Sequence, residues 1–169
     1  LSDKSYFKDT FIIEIERGCP KTCNFCIASW LNLPVRYTPL EKILEAIDFG
    51  LQHTSKIALL GAYVAGHPDF DKILEYIRKK NKISPVELTL SSLRADLTGE
   101  NVIRTLVECG QKTATIAVEA GSERLRKVIN KDLTDEQILK TVENARLYGL
   151  RGLKIYAMIG LPTETDEDI

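Results

Sequence analysis

The sequence predicts an α/β fold in which parallel strands alternate with helices, as an open sheet or as a partial TIM-type (β/α) barrel. Short segments rich in isoleucine and valine alternate with longer ones whose apolar residues recur at helical spacing. The apolar runs of the short segments are nearly continuous, which is typical of strands buried on both faces of a parallel sheet. Right-handed crossovers would join these strands into one sheet.

Five segments have the composition of strands, so the fold would stop after about five strand–helix units. The first, TFIIEIE at residues 10–16, is short and rich in β-branched residues, which favours a strand over a helix. The others are KIALLG at 56–61, VELTLSSL at 86–93, TATIAVEA at 113–120 and LKIYAMIG at 153–160. In such a sheet, ligands gather at the carboxyl ends of the strands.

The helices between these strands are predicted from their capping residues. Thr38 is the expected N-cap of the first helix, because Pro39 and Glu41 follow it at the N1 and N3 positions. Threonine N-caps and glycines at the C′ position indicate most of the later boundaries. Further helices are expected from Phe70 to Lys80, from Thr98 to Gly110, from Thr134 to Gly149 and from about Thr165.

The composition is that of an ordinary folded domain of 169 residues, 44% hydrophobic and 28% charged. A formal net charge of −1 gives no electrostatic case for binding nucleic acid. No apolar run approaches the ~20 residues that cross a bilayer. Four cysteines in such a chain do not resemble a disulfide scaffold, so a reducing, cytoplasmic location is the simpler expectation. The chain begins with Leu1 and ends at a helix start, so we expect a fragment with further domains on both sides.

Three of the four cysteines, Cys19, Cys23 and Cys26, follow the first strand with the spacing C-x3-C-x2-C. Thiolates select zinc, copper(I) or iron–sulfur clusters. A structural zinc site normally has four ligands, and here either histidine or Cys109 could supply a fourth only through the fold. Cys109 itself is expected to be a small buried hydrophobe. Three thiolates on a four-iron cluster would leave one iron open, as a catalytic centre requires.

A C-x3-C-x2-C loop after the first strand of such a series resembles the radical S-adenosylmethionine (SAM) superfamily. The segments LSSLRADLTGENVIRTLVECG, IAVEAGSE and MIGLPTETDED are similar to one branch of it. That branch comprises methylthiotransferases, elongator-type acetyltransferases and radical SAM enzymes associated with a cobalamin-binding domain. The resemblance implies a radical SAM core over residues 1–169 and a partial barrel of six strands, the sixth lying beyond Ile169. The fifth strand should then have an open edge.

The resemblance implies a [4Fe–4S] cluster on the three cysteines, with its fourth iron chelating SAM. Reduction would cleave SAM to a 5′-deoxyadenosyl radical, for hydrogen abstraction or for methyl or methylthio transfer on an unknown substrate. A reductant such as flavodoxin or ferredoxin is implied. Arg36 and the SSLRAD segment favour the cobalamin-associated type, with cobalamin held by a domain outside this chain. The alternative is an iron–sulfur electron-transfer or zinc-binding module that does not cleave SAM.

The resemblance also implies cofactor contacts around the first three strands. Phe25 matches the aromatic residue beside the adenine. Gly61-Ala62-Tyr63 stands where many members have Gly-Gly-Glu, so Gly61 would approach the cofactor through its backbone. Ser91, Ser92 and Arg94 are polar candidates after the third strand. Arg94 could pair with the methionine carboxylate or, equally, form an ion pair with Asp96.

Two later segments complete the implied site. Glu119 ends the fourth strand, where the resemblance implies contact with the ribose or amino group of SAM, and Ser122 lies nearby. The other interpretation of Glu119 is an acidic residue near a helix N-terminus. Leu161 falls in the segment that backs the adenine after the fifth strand. Trp30 is expected to separate the cluster from water.

Overall fold

A computed structural model describes residues 4–169. Its strands are β1 (Thr10–Glu14), β2 (Glu16–Arg17), β3 (Arg36–Tyr37), β4 (Lys56–Leu60), β5 (Glu87–Leu90), β6 (Thr113–Glu119) and β7 (Gly152–Ala157). Its α-helices are α1 (Ala28–Leu31), α2 (Leu40–Leu51), α3 (Phe70–Ile83), α4 (Glu100–Glu108), α5 (Glu123–Val128) and α6 (Asp135–Leu147). Short 3-10 turns cover Val64–Gly66, Ala95–Leu97 and Asp166–Asp168.

Two parallel sheets make up the framework, as the sequence predicts. One sheet has the order β1-β4-β5 and the other pairs β6 with β7. They meet at Leu93, whose N–H donates to the carbonyl of Thr115 at 2.9 Å while its own carbonyl accepts from Ala117 at 3.2 Å. The two sheets are therefore continuous through Leu93, and within residues 4–169 they do not close into a barrel.

The core lies between the first sheet and helices α2, α3 and α4. The inward side chains of β1, β4 and β5 and the apolar faces of these helices are almost fully excluded from water, among them Ile13, Ile57, Leu88, Ile43, Ile47, Ile73, Ile77 and Ile103. Burying one such side chain stabilises the fold by about 1.5–3 kcal/mol. This packing fixes the strands whose carboxyl ends carry the site. Within residues 4–169, no helix is long and apolar enough to span a bilayer.

β7 departs from the expectation that every strand is buried on both faces. Ile155 and Tyr156 in this strand are 53% and 51% exposed. Within the described part of the chain, β7 pairs only with β6, so its other side has no neighbouring strand. The predicted open edge at the fifth predicted strand is therefore present, and it is the cause of the exposure.

Two of the predicted N-caps are wrong and one is confirmed. Helix α2, the first helix predicted from the sequence, begins at Leu40. The hydroxyl of Thr38 donates to the carbonyl of Glu14 and does not cap this helix. The hydroxyl of Thr98 donates to the carbonyl of Arg94, so α4 begins without a side-chain cap. Thr134 forms the predicted capping box at the start of α6. Nearby backbone carbonyls thus compete successfully for threonine hydroxyls.

Candidate active site

The three clustered cysteines line one cavity of about 200 Å³ at the carboxyl ends of the strands. Cys23 is buried, at 6% exposure, while Cys19 and Cys26 are half-buried. All are free thiols. Cys109 lies in the main core at 1% exposure and does not line the cavity, which confirms its prediction as a small buried hydrophobe.

The turn into the cysteine loop depends on Gly18. Its φ of +98° lies in the left-handed region, and a Cβ there would collide with the backbone carbonyl of Asn32. The base of the loop is closed by the antiparallel pairing of β2 with β3. Inside the loop, burial raises the pKa of the Cys19 thiol, and the backbone N–H of Lys21 opposes that shift. The paired strands therefore hold the two ends of the loop together, and the three thiols of the loop line the cavity.

Glu119 and Lys131 form an ion pair in the wall of the cavity. Lys131 Nζ lies 3.1 Å from Glu119 Oε1, and the two side chains are 6% and 15% exposed. The same ammonium lies 5.9 Å from the ring centroid of Phe25, which also lines the cavity. Glu119 has a φ of +75°, a conformation that costs a residue with a side chain about 1–3 kcal/mol. Such strain is typical of a functional position.

Arg94 forms an ion pair with Asp96, which was one of the two interactions predicted for it from the sequence. Arg94 also lines the cavity. Its Nε and Nη2 donate to the Asp96 carboxylate at 2.9 and 3.1 Å. Nη2 also donates to the backbone carbonyl of Lys131 at 2.9 Å. The guanidinium is thus fixed in place, and Arg94 and Lys131 both line the cavity.

Glu16 is a buried carboxylate beside the cavity, at 1% exposure. Its Oε1 accepts a hydrogen bond from the N–H of Tyr63, and Oε2 has no hydrogen-bond partner within residues 4–169. Burial raises its pKa. Gly61 packs on this carboxylate so closely that a Cβ would overlap Oε1. Gly61 therefore does not reach the cavity, whereas Ala62 and Tyr63, which follow it, do.

Of the remaining predicted contacts, Ser91, Ser122 and Leu161 lie outside the cavity wall. Ser92 lines the cavity and Ser91 does not. The hydroxyl of Ser122 caps α5 by accepting from the N–H of Leu125 at 3.1 Å. Leu161 packs against the small cluster formed by Ala120, Leu125 and Ile129. Trp30 is 60% exposed and does not line the cavity. Its separation of the cluster from water stays a prediction.

Comparison with protein families decides how this arrangement is classified. The radical SAM superfamily model matches residues 13–169. The chain belongs to the radical SAM superfamily. The match begins within β1 and includes the cysteine loop and every strand that follows.

Two curated relatives illustrate the similarity. An uncharacterised protein of Methanocaldococcus jannaschii is 37% identical over 170 residues, which cover 99% of this chain and 37% of that protein. The tRNA-2-methylthio-N(6)-dimethylallyladenosine synthase of Thermotoga petrophila is 27% identical over 162 residues, covering 89% of this chain and 36% of the relative. The chain therefore spans little more than a third of the length of these relatives.

Solved structures confirm the fold. The radical SAM methyltransferase TsrM from Kitasatospora setae, determined with tryptophan and a SAM analogue, superposes with a TM-score of 0.75 at 17% identity, covering 94% of this chain and 32% of that one. The cobalamin-dependent radical SAM enzyme OxsB, with aqua-cobalamin and SAM bound, superposes with a TM-score of 0.69 at 19% identity, covering 88% and 23%. The described strands and helices thus have the parallel α/β fold of these TIM-barrel-type enzymes, without a closed barrel.

The residues present fit the [4Fe–4S] cluster and SAM that this superfamily uses. Three thiols share one cavity, and no fourth cysteine or histidine lines it. Among residues 4–169, no three His, Cys, Asp or Glu side chains are arranged to hold a single metal ion. Soft sulfur donors spread around one space suit an iron–sulfur cluster. The acidic and basic groups beside them suit an amino-acid moiety.

Lys131 and Glu16 were not among the residues predicted from the sequence. Lys131 had one local signal: it stands between Asn130 and Asp132, two residue types that tolerate a left-handed backbone, and both have positive φ here. Glu16 had no such local signal, because the residues around it have the composition of a strand. Only the fold brings its carboxylate to the backbone of Tyr63, 47 residues away.

Proposed function

We propose that this chain is the cofactor-binding core of a radical SAM enzyme. The observation that carries the proposal is the cavity shared by three free thiols, Glu119, Arg94 and Lys131. When bound, the [4Fe–4S] cluster would supply the electron that cleaves SAM into methionine and a 5′-deoxyadenosyl radical. Cys19, Cys23 and Cys26 would hold the cluster and leave one iron open to the cofactor.

Charged side chains would bind the amino-acid end of SAM. Lys131 and Arg94 place two cations beside the thiols, which suits the methionine carboxylate. Glu119 would accept from the amino group or the ribose, and its ion pair with Lys131 fixes the position of its carboxylate. Ser92 could donate from the third strand end. Because Arg94 and Glu119 are each fixed by partners, the site is organised in advance.

Apolar groups would bind the nucleoside. Phe25 lines the cavity and offers an aromatic face for the adenine. Leu161, which packs against Ala120, Leu125 and Ile129, would support the adenine from outside the present cavity wall. Gly61 and Ser122 would act through their neighbours, since Gly61 fixes the Ala62–Tyr63 backbone and Ser122 fixes the start of α5. Ser91 stays a predicted contact.

The substrate lies outside what this part of the chain determines. We propose hydrogen abstraction, or methyl or methylthio transfer, on a substrate bound by other parts of the complete protein, with electrons from a flavodoxin- or ferredoxin-type reductant. The relatives that carry a name include a tRNA methylthiotransferase, and the solved neighbours include cobalamin-dependent enzymes. Cobalamin would have to be held outside residues 1–169.

The test is anaerobic reconstitution of the complete protein with iron and sulfide. We expect about four irons and four sulfides per chain, binding of SAM, and release of 5′-deoxyadenosine on addition of dithionite. The matched control is C26A, which should lose all three properties. Stoichiometric zinc in place of iron, or a cluster that never binds SAM, would instead establish the alternative, a zinc-binding or electron-transfer module.

A further inference from the structure

Two asparagines join the cysteine loop to the segment after α5, more than 100 residues further along the chain. Asn130 Nδ2 donates to the carbonyl of Thr22 at 2.8 Å and to its hydroxyl at 2.7 Å. Asn24 Nδ2 donates to the carbonyl of Val128 at 2.9 Å. The backbone N–H of Asn24 donates to the carbonyl of Ile129, also at 2.9 Å. We refer to these four hydrogen bonds as the latch.

The latch brackets Cys23. Thr22 and Asn24, its neighbours on either side, are both held by the latch, and Cys23 is the most buried of the three clustered thiols. Cys19 and Cys26 are more exposed and lie outside the latched residues. The loop therefore has one cysteine whose position is fixed by the rest of the fold, and two whose positions depend on the loop itself.

The same segment carries Lys131 into the cavity. Asn130 and Asp132 have φ values of +55° and +47°, so the backbone turns sharply on both sides of Lys131. Asparagine tolerates this conformation better than most residues, and its amide is free to reach back to the loop. One residue, Asn130, thus sets both the turn before Lys131 and the contact with Thr22.

We propose that Asn130 and Asn24 are positioning residues that hold Cys23 ready for the cluster and tie the cysteine loop to the Lys131–Glu119 ion pair. That the bound group is a [4Fe–4S] cluster rests on the proposed function. The latch rests only on hydrogen bonds within the chain. It makes Cys23 the anchoring thiol, so that cluster binding costs less ordering of the loop. It also fixes the cofactor-side charges relative to the thiols.

The decisive experiment measures thiol accessibility in the complete apoprotein, without cluster, SAM or turnover. Wild type, N130G and N24A are treated with iodoacetamide, and the alkylation of each cysteine is followed by mass spectrometry. Glycine at position 130 keeps the left-handed backbone while removing both side-chain hydrogen bonds. Cys109 reports global unfolding, because it is buried in the main core. The matched control is N32A, since Asn32 is exposed at the end of α1.

Cys23 should be alkylated about 5- to 30-fold faster in N130G, from the loss of two hydrogen bonds of ordinary strength. N24A should have a smaller effect, because it removes one side-chain hydrogen bond where N130G removes two. Cys109 should react at the wild-type rate in both variants, and N32A should match wild type at every thiol. An unchanged Cys23 rate in N130G would overturn the proposal. Equal acceleration of Cys23 and Cys109 would also overturn it, because the asparagines would then stabilise the whole fold.

A second measurement addresses the cluster itself. After reconstitution, N130G should release iron to an excess of chelator several-fold faster than wild type or N32A, with the same initial iron content. Release at the wild-type rate would remove the link between the latch and the cluster. If the protein binds no cluster at all, the proposed function fails while the alkylation result still decides whether the latch exists.

Discussion

Lys131 Nζ lies 3.1 Å from Glu119 Oε1 in the wall of the cavity. Glu119 itself has a left-handed backbone, and Lys131 stands between two residues that do. Neither charge is well exposed, at 6% and 15% for the two side chains. A pair of this kind is costly to break, because removing one partner leaves the other charge poorly solvated. Poorly solvated charge pairs of this kind are typical of functional sites, where the charges bind a ligand.

Replacing Lys131 should therefore affect both stability and cofactor binding. K131M leaves the Glu119 carboxylate without its cation and should lower the free energy of unfolding by about 2–4 kcal/mol. It should also weaken binding of S-adenosylhomocysteine at least tenfold, measured by calorimetry on reconstituted protein. K131R keeps the charge and is the control. Wild-type affinity in K131M would contradict the placement of the methionine carboxylate beside Lys131.

The fourth cysteine should be dispensable for the cluster. Burial raises the pKa of the Cys109 thiol to about 11, so at neutral pH it is a thiol rather than a ligating thiolate. C109A should retain full iron and sulfide content and lose roughly 1 kcal/mol of stability by truncation in the core. Alanine at any one of the three clustered cysteines should abolish cluster binding. Loss of iron in C109A would mean that a fourth thiol takes part in ligation.

The strand and helix order could be predicted because it depends on local apolar runs. Strand ends were harder, since polar residues there leave the hydrogen-bonded ladder to form the cavity. Ser91 and Ser92 illustrate this: the sequence placed them in a strand, and β5 ends at Leu90. For β7 the open edge was predicted correctly, whereas burial on both faces was not. Its composition suits a central strand, but no strand covers its second edge within the described residues.

The residues of the site also fall into those that local sequence predicts and those that only the fold brings together. The cysteines were found because their spacing is local and their chemistry is specific. Glu119 was found from its place at a strand end. Lys131 and Glu16 act on atoms 12 and 47 residues away, and no pattern in a single sequence encodes those contacts. The latch belongs to the same class, since Thr22 and Asn130 are 108 residues apart.

Glu16 should make the protein less stable as the pH rises. Burial raises its pKa above the ordinary value of 4.5, so the folded state holds the proton more tightly than the unfolded state. Its contribution to stability is then largest below pH 4.5 and is lost as the pH rises through the folded pKa. E16Q keeps the acceptor for the Tyr63 N–H and cannot ionise. The unfolding free energy of E16Q relative to wild type should therefore increase between about pH 4.5 and pH 8.

The control for Glu16 is its exposed neighbour Glu14. Arg17 lowers the pKa of Glu14 through a hydrogen-bonded ion pair, so this carboxylate stabilises the fold only when ionised. E14Q should consequently lose stability relative to wild type as the pH rises, the opposite trend to E16Q, and by a small amount because the pair is exposed. Urea unfolding at several pH values measures both. Parallel trends in the two variants would contradict the raised pKa of Glu16.

Asp168 should stabilise the docking of the last described segment, and should do so only when ionised. Arg124 forms an ion pair with it, Ser122 donates to it, and the N–H and hydroxyl of Thr165 each donate to Oδ2 at 2.9 Å. The hydrogen bond from Arg124 is the largest cause that lowers the pKa of Asp168 well below the ordinary 3.8. Its contribution is therefore present above pH 3.8 and is lost as the pH falls toward the folded pKa.

D168N tests this directly by limited proteolysis and thermal unfolding. At pH 7 the variant should melt at a lower temperature than wild type, because the contacts of Asp168 with Arg124 and Ser122 are weakened. For the same reason protease should cut faster near Gly160 and Thr163. As the pH falls from 7 toward 2, the difference between the two melting temperatures should narrow, because wild type progressively loses the same interaction. D166N, at an exposed residue in the same turn, is the matched control and should follow wild type. A difference between D168N and wild type that persists unchanged at low pH would mean that Asp168 acts by shape rather than by charge.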